Sequence, residues 1–207
     1  MTLRVLRAGS RAAVPWRNGG GVTREIACRP EDAGTAGFDW RISLADVAAN
    51  GPFSAFPGVD RILTMVEGAG MDLTVGGRRR LVDEAYVPAS FPGDRPTECL
   101  LLSGPVVNFN VMYRRDRTSA EVAVVRGTLP VPVPVAGGGT VVAVALETPM
   151  VLETPVVPET SVVQGGTPLD RYDAVILTPS SGPVTLRGEG RTALVTLRTV
   201  PPPLRSR

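Results

Sequence analysis

The stretch AVPWRNGGGVTREIA, Ala13 to Ala27, sets three consecutive glycines between an aromatic-basic-amide cluster and a run of alternating polarity. A phosphate-cradling loop aims a helix N-terminus at its anion, so a helical pattern would have to come after the glycines. The residues after Gly19-Gly20-Gly21 are Val-Thr-Arg-Glu-Ile, with Val22, Arg24 and Ile26 on one face and Thr23 and Glu25 on the other. That period of two belongs to a strand. GxGxxG spacing is also missing, so the glycines are expected to form a turn or the mouth of a pocket.

The same period recurs along the chain. Strands are expected at Leu3–Leu6, Val22–Ala27, Phe38–Ala45, Ile62–Val66, Met71–Val75, Ala85–Val87, Glu98–Leu102 and Val106–Tyr113. The second half adds Glu121–Val125, Val141–Leu146, Asp173–Leu177, Val184–Leu186 and Thr192–Leu197. Gly76-Gly77 reads as a hairpin turn. Pro130, Pro132 and Pro134 alternate with valine, which suits an extended edge or connector. Glu159–Gln164 reads as strand or loop, and Ala45–Ala49 as one helical turn at most. Many short strands between Gly/Pro turns, with no helix long enough for a βαβ crossover, make an all-β sandwich or barrel.

Composition removes several kinds of chemistry. All 22 basic side chains are arginine; the chain has no lysine and no histidine. A Schiff-base enzyme and a Walker loop both need lysine. Imidazole acid–base schemes and the Ser-His-Asp triad need histidine. Histidine is also the commonest ligand of transition metals, so no metal site and no cofactor are expected. A carboxylate-only site for a hard cation stays formally open, but Asp and Glu are scattered. The net charge of +2 does not suggest a nucleic-acid partner, and basic residues interleaved with aromatics are missing. Arg78-Arg79-Arg80 follows Gly76-Gly77 and reads as a solvated hairpin tip. Cys28 and Cys99 share no motif, and MTLRVLRAGSR at the N-terminus lacks the apolar core of a signal peptide. No window approaches the roughly 18 apolar residues of a spanning helix. A cytoplasmic protein with no membrane partner is expected, and the sequence leaves a homodimer open.

Longer motifs carry a resemblance. PWRNGGGVTREIA is followed by FDWRISLADVAANGPFSAFPGVDRILTMVEGAGMDL, then by FPGD (Phe91 to Asp94) and SGPVVNFNVMYRR (Ser103 to Arg115). Together these segments closely resemble the HutD/Ves family of cupin-like proteins. The resemblance spans about residues 13 to 115. It implies a bicupin, two double-stranded β-helix (jelly-roll) units in one chain. The expected division is 1–117 for a motif-bearing unit, 118–200 for a degenerate second unit and 201–207 for a flexible tail. It also implies an association with histidine-utilisation genes and binding of a small carboxylate metabolite, such as urocanate or N-formylglutamate, to tune that catabolism. The family often has Lys where this chain has Arg17 and Asp where it has Asn108. The two segments where a cupin carries its metal ligands, Asp60–Gly70 and VPASFPGDRP, hold no histidine here.

Candidate ligand-binding residues come from the motifs and from carboxylate chemistry. A guanidinium bonds a carboxylate through two parallel N–H donors, which makes Arg41 and Arg61 the first anchors, with Arg17 or Arg24 next. Glu25 would balance arginine charge or accept an N–H from the ligand. Asn18, Asn108 and Asn110 would offer amide groups, and Thr23 and Ser43 lie within the same motifs. Trp16, Phe53, Phe56 and Phe91 would wall the site, while Phe38 and Trp40 pack in the core. From pattern alone, Thr23, Glu25, Arg41 and Ser43 could equally face water with Val22, Ile26, Trp40, Ile42 and Leu44 inside; the resemblance favours the binding role. The main reading is a non-catalytic binding protein. The alternative is a metal-free cupin-type enzyme, an isomerase or hydrolase acting on a small anionic metabolite through Glu25, with no firm catalytic residue.

Overall fold

A computed structural model describes residues 3–31, 33–34, 37–132, 139–154, 166–179 and 182–201. Pro134, the segment Glu159–Gln164 and the expected tail beyond Pro201 lie outside the described residues.

In chain order the strands are β1 (Arg4–Leu6), β2 (Ala13–Pro15), β3 (Gly21–Arg29), β4 (Trp40–Val47), β5 (Gly51–Phe53), β6 (Val59–Glu67), β7 (Met71–Val75), β8 (Arg78–Val82), β9 (Ala89–Pro92) and β10 (Thr97–Leu101). They continue with β11 (Val106–Arg114), β12 (Thr118–Arg126), β13 (Leu129–Val131), β14 (Thr140–Ala145), β15 (Met150–Glu153), β16 (Thr167–Leu169), β17 (Ala174–Leu177), β18 (Val184–Gly188) and β19 (Arg191–Thr199). One 3₁₀ turn, Ala8–Ser10, is the only helical element among the described residues. The all-β expectation therefore holds.

The chain divides into two compact units. Arg11–Ala120 with Thr199–Arg207 forms the first, and Glu121–Arg198 with Met1–Ser10 the second. In the first unit a six-stranded sheet, β2-β3-β4-β11-β6-β9, and a four-stranded sheet, β5-β10-β7-β8, share one apolar cluster. That cluster joins Val47, Leu63, Met65, Ala89, Phe91 and Val106 of the larger sheet to Met71, Leu73, Val82 and Cys99 of the smaller. In the second unit the five-stranded sheet β1-β17-β14-β19-β12 and the four-stranded sheet β13-β18-β15-β16 enclose a cluster made only of Val, Ala, Leu and Met. Strand β14 is buried along its whole length, and its sequence TVVAVA accordingly runs apolar without alternation. Pro130 sits in β13, an edge strand, where its missing N–H costs no ladder bond.

Three local expectations are corrected. Ala45 continues β4 through Val47, so no helical turn forms there. Ala85–Val87 is a turn and not a strand; Tyr86 adopts φ 67°, which no strand residue can hold. Arg78–Arg80 are not a hairpin tip: the turn is Gly76-Gly77, and the three arginines form exposed β8 at the sheet edge, where charge discourages pairing with another chain.

The N-terminal segment is clasped onto the second unit. Strand β1 pairs with β17, and Asp173, 1 % exposed, accepts from Arg7 Nη1 at 2.6 Å, Ala8 N at 2.6 Å and Asp170 N at 3.1 Å. Burial pushes this carboxyl pKa up, but the Ala8, Arg7 and Asp170 donors together hold it below the usual aspartate value. Its stabilisation is therefore complete above about pH 4, the unfolded value, and is lost as pH falls through the depressed folded value. Asp173→Asn is expected to lower stability by about 2 kcal/mol at pH 7 and to flatten the acid limb of the stability profile, read from urea midpoints between pH 2 and 7.

Candidate functional site

The glycine triplet is the loop of the β2–β3 hairpin. Trp16 N donates to Gly21 O at 2.9 Å, and Gly19, at φ 70°, turns the chain with its N–H on Trp16 O at 3.0 Å. Gly21 is required for contact: a Cβ there would collide with Asp46 O and stand 3.1 Å from the Trp16 ring. The indole thus lies close against the strand backbone. Its Nε1 donates to Thr23 Oγ1 at 2.8 Å, and its ring meets Phe53 edge-on at 6.1 Å.

Register places the polar residues of four motifs on one face. Directly opposite residues in antiparallel strands share a face. Across β3, β4, β11 and β6, one row reads Thr23, Ala45, Asn108, Met65 and the next Glu25, Ser43, Asn110, Leu63. The third row, Arg41, Met112, Arg61, ends on Phe91 of β9. This face looks toward the smaller sheet, since Leu63, Met65 and Phe91 belong to the shared cluster. The opposite face, with Ile42, Leu44, Phe109, Val111 and Ile62, is buried as well. The arrangement with polar residues in water and apolar residues inside therefore does not occur for Ser43, Asn108 or Asn110, all at most 5 % exposed.

Arg61 dominates this interior. Its guanidinium carbon lies 5.0 Å from the Phe53 ring centre and 5.3 Å from that of Phe91. Nε and Nη2 donate long bonds, 3.4 and 3.3 Å, to Asn110 Oδ1. Among the described residues no carboxylate pairs with it. Loss of hydration pushes its pKa down to about 10. Two phenyl faces and one amide oxygen offer partial compensation, but no counter-charge. Arg41, by contrast, is neutralised: Nε donates to Glu25 Oε2 at 2.6 Å.

The FPGD turn carries the support. Phe91 stacks on the guanidinium, and a Cβ on Gly93 would stand 3.1 Å from Arg61 Cγ. Asp94 and Asp60 both accept from Arg115, at 2.7 Å each. These bonds, that of Asp94 first, raise the Arg115 pKa, and Arg115 in turn lowers that of Asp94. Together with Pro92 and Arg95 they line a groove of about 520 Å³. The Arg115 guanidinium is already committed to the two carboxylates and to Val59 O.

Several candidates are placed elsewhere. Arg17 is exposed on the hairpin loop, and Asn18 Oδ1 is used locally, accepting from Gly20 N at 3.1 Å. Arg24 lies on the opposite face and pairs with Asp46. Thr23 serves Trp16, and Asn108 Nδ2 points to Met71 Sδ at 3.7 Å with its Oδ1 buried and unpartnered. Phe56 packs with Phe38, Val59 and Met112 in a separate cluster. Sequence reasoning missed Gly93, for which its place inside the FPGD motif is the available signal. Among the described residues no group of three or more His, Cys, Asp or Glu could hold a metal, and no helix is long and apolar enough to cross a membrane.

Fold and site define an all-β chain of two units, one with a half-buried arginine that no carboxylate among the described residues pairs. The family model for HutD matches residues 8–195, and the chain belongs to the HutD family. A protein of Pseudomonas putida described as an uncharacterised 21.2 kDa protein in the hutC 3′ region is 39 % identical over 126 residues, 61 % of this chain and 66 % of that one. Protein Ves of Cronobacter sakazakii is 42 % identical over 110 residues, 53 % of this chain and 59 % of its own. The matched segments thus span less than two thirds of those relatives. The structure of HutD from Pseudomonas fluorescens, described for a formate condition, superposes with a TM-score of 0.79 at 30 % identity, covering 97 % of this chain and all of that one.

Because no carboxylate among the described residues pairs with Arg61, Arg61→Met is expected to stabilise the ligand-free protein by about 1 kcal/mol, seen as a higher Tm in calorimetry. A structural arginine would give a lower Tm on the same substitution.

Proposed function

We propose that this chain is a non-catalytic binder of a small carboxylate metabolite, urocanate or N-formylglutamate being the first candidates. The carrying observation is Arg61: a guanidinium enclosed by Phe53, Phe91 and Asn110, without a carboxylate of its own. A half-buried charge that no described carboxylate pairs is a binding contribution held in reserve for an anionic guest. Arg41, Glu25 and Ser43 then meet the rest of the molecule, with Trp16 at the hairpin end.

The family name and the hutC neighbourhood of the P. putida relative favour a role in tuning or limiting histidine catabolism in the cytoplasm. The two sheet pairs favour a bicupin, with the aliphatic second unit as its degenerate half. Binding is favoured over catalysis by the Cys99 thiol as well. Cys99 is buried and its pKa is pushed up to about 11 by loss of hydration, so it is no thiolate nucleophile.

Calorimetry with urocanate and N-formylglutamate tests the reading. A dissociation constant on the order of 10 μM is expected, and Arg61→Ala should weaken it by roughly a hundredfold while the circular dichroism spectrum stays that of the wild type. No heat and no thermal shift at millimolar ligand would remove the assignment.

A further inference from the structure

We infer that two copies of this chain pair antiparallel through β12, joining their five-stranded sheets into one of ten strands. The pairing is independent of the Arg61 site.

A sheet edge displays unpaired N–H and C=O groups, and folded proteins blunt it with short strands, proline or charge. Eight strands end the four sheets of this chain, and seven of them are blunted in these ways. Strands β1, β2, β5, β13 and β16 have three residues each, and the last four of these hold Pro15, Pro52, Pro130 and Pro168. Strand β9 has four residues and ends on Pro92, while β8 carries Arg78-Arg79-Arg80. The exception is β12, where TSAEVAVVR runs nine residues without proline. Its two charges are used within the chain. Glu121 accepts from Arg198 Nη1 at 3.3 Å, and Arg126 Nε donates to Glu189 O at 3.5 Å.

This edge also lacks a neighbour that its counterpart in the first unit has. The order β4-β11-β6-β9 recurs as β12-β19-β14-β17, and β5-β10-β7-β8 recurs as β13-β18-β15-β16. Strand β12 is therefore the counterpart of β4. In the first unit β3, nine residues long, pairs antiparallel along the far side of β4. In the second, no strand among the described residues pairs with the far side of β12. Val122 and Val124 are left half-buried there, and Ala123 is exposed.

The strand is complementary to itself. Directly opposite residues share a face, so the two-fold axis of an antiparallel self-pair must pass through a residue. With the axis at Ala123, Val122 lies opposite Val124 of the partner subunit, and Val124 opposite the partner's Val122. Cross-strand pairs of β-branched residues stabilise a sheet. The residue at the axis is then small. Glu121 faces Val125 of the partner subunit and Arg126 faces the partner's Ala120, so neither meets its own charge. Such an isologous contact closes after two copies and uses up both edges. An extended segment of another protein would gain the same main-chain bonds without this side-chain symmetry.

Sedimentation velocity on the full chain, at about 1 to 200 μM, tests the pairing. The mass is expected to rise from 21.8 kDa to twice that value, with a dissociation constant on the order of 10 μM. Ala123→Glu sets two carboxylates across the axis and should weaken the dimer at least about tenfold. Ala123→Cys brings two thiols together at a Cα separation of about 4.5 to 5.5 Å, within disulfide reach. Mild oxidation should then give a covalent dimer on a non-reducing gel. The wild type, whose Cys28 and Cys99 are buried, should give none. A wild-type monomer throughout the range would overturn the inference and leave the edge to a strand of another protein. A dimer indifferent to a folded Ala123→Glu, or an oxidised Ala123→Cys without the covalent species, would overturn it as well, placing any dimer on another face. If Ala123→Glu does not fold, the concentration series and the cysteine variant decide.

Discussion

A guanidinium without a counter-charge is the constraint around which the first unit is built. Arg61 loses hydration between Phe53 and Phe91 and receives only long amide bonds in return. Folding tolerates one such group because the surrounding sheets bury enough apolar surface to offset it. Leu63, Met65, Met71, Leu73 and Val106 close the same cluster that holds Phe91. The fold thus keeps an unfavourable group in place, and the neighbouring charges are arranged so that it stays unpaired. Asp60, adjacent in sequence, is turned outward onto Arg115, and Glu25 is taken by Arg41.

The comparison between the two units sharpens the point. Both are pairs of antiparallel sheets around an apolar cluster, and the cluster of the second is built from aliphatic and methionine side chains. Its buried carboxylate, Asp173, is fully engaged by Arg7 and by two backbone donors, fastening the N-terminal strand to β17. The architecture is shared, but charge is saturated and structural in one unit, unsaturated and available in the other.

The proposed role of such a site is recognition. Arginine and asparagine donate hydrogen bonds and fix orientation, but neither exchanges protons near neutral pH. Glu25 is occupied by Arg41 at 2.6 Å, and Cys99 is held as a thiol by burial. Positioning is correspondingly strict. The FPGD turn packs Gly93 on the Arg61 stem, while Asp94 and Asp60 lock Arg115 beside it.

Residue order alone was enough to establish the strand-rich class, the hairpin at Gly76-Gly77, the lack of imidazole chemistry and the family. These come from local period, turn chemistry, composition and motif, which need no knowledge of the partners. Residue order also marked Arg41, Arg61, Glu25, Ser43, Asn110 and Phe91, which register brings onto one face. Arg17 and Asn18, chosen from the same motif, stand exposed on the hairpin loop, which motif position alone does not reveal. Residue order misread Ala85–Val87, where tertiary context imposes a left-handed Tyr86, and the Arg78–Arg80 run, whose strand is made by pairing with β7. Which arginine is paired and which is bare became visible only in three dimensions. Alternation assigns a residue to a face, but charge balance depends on which strand lies across from it, and that is set by chain crossings many residues away.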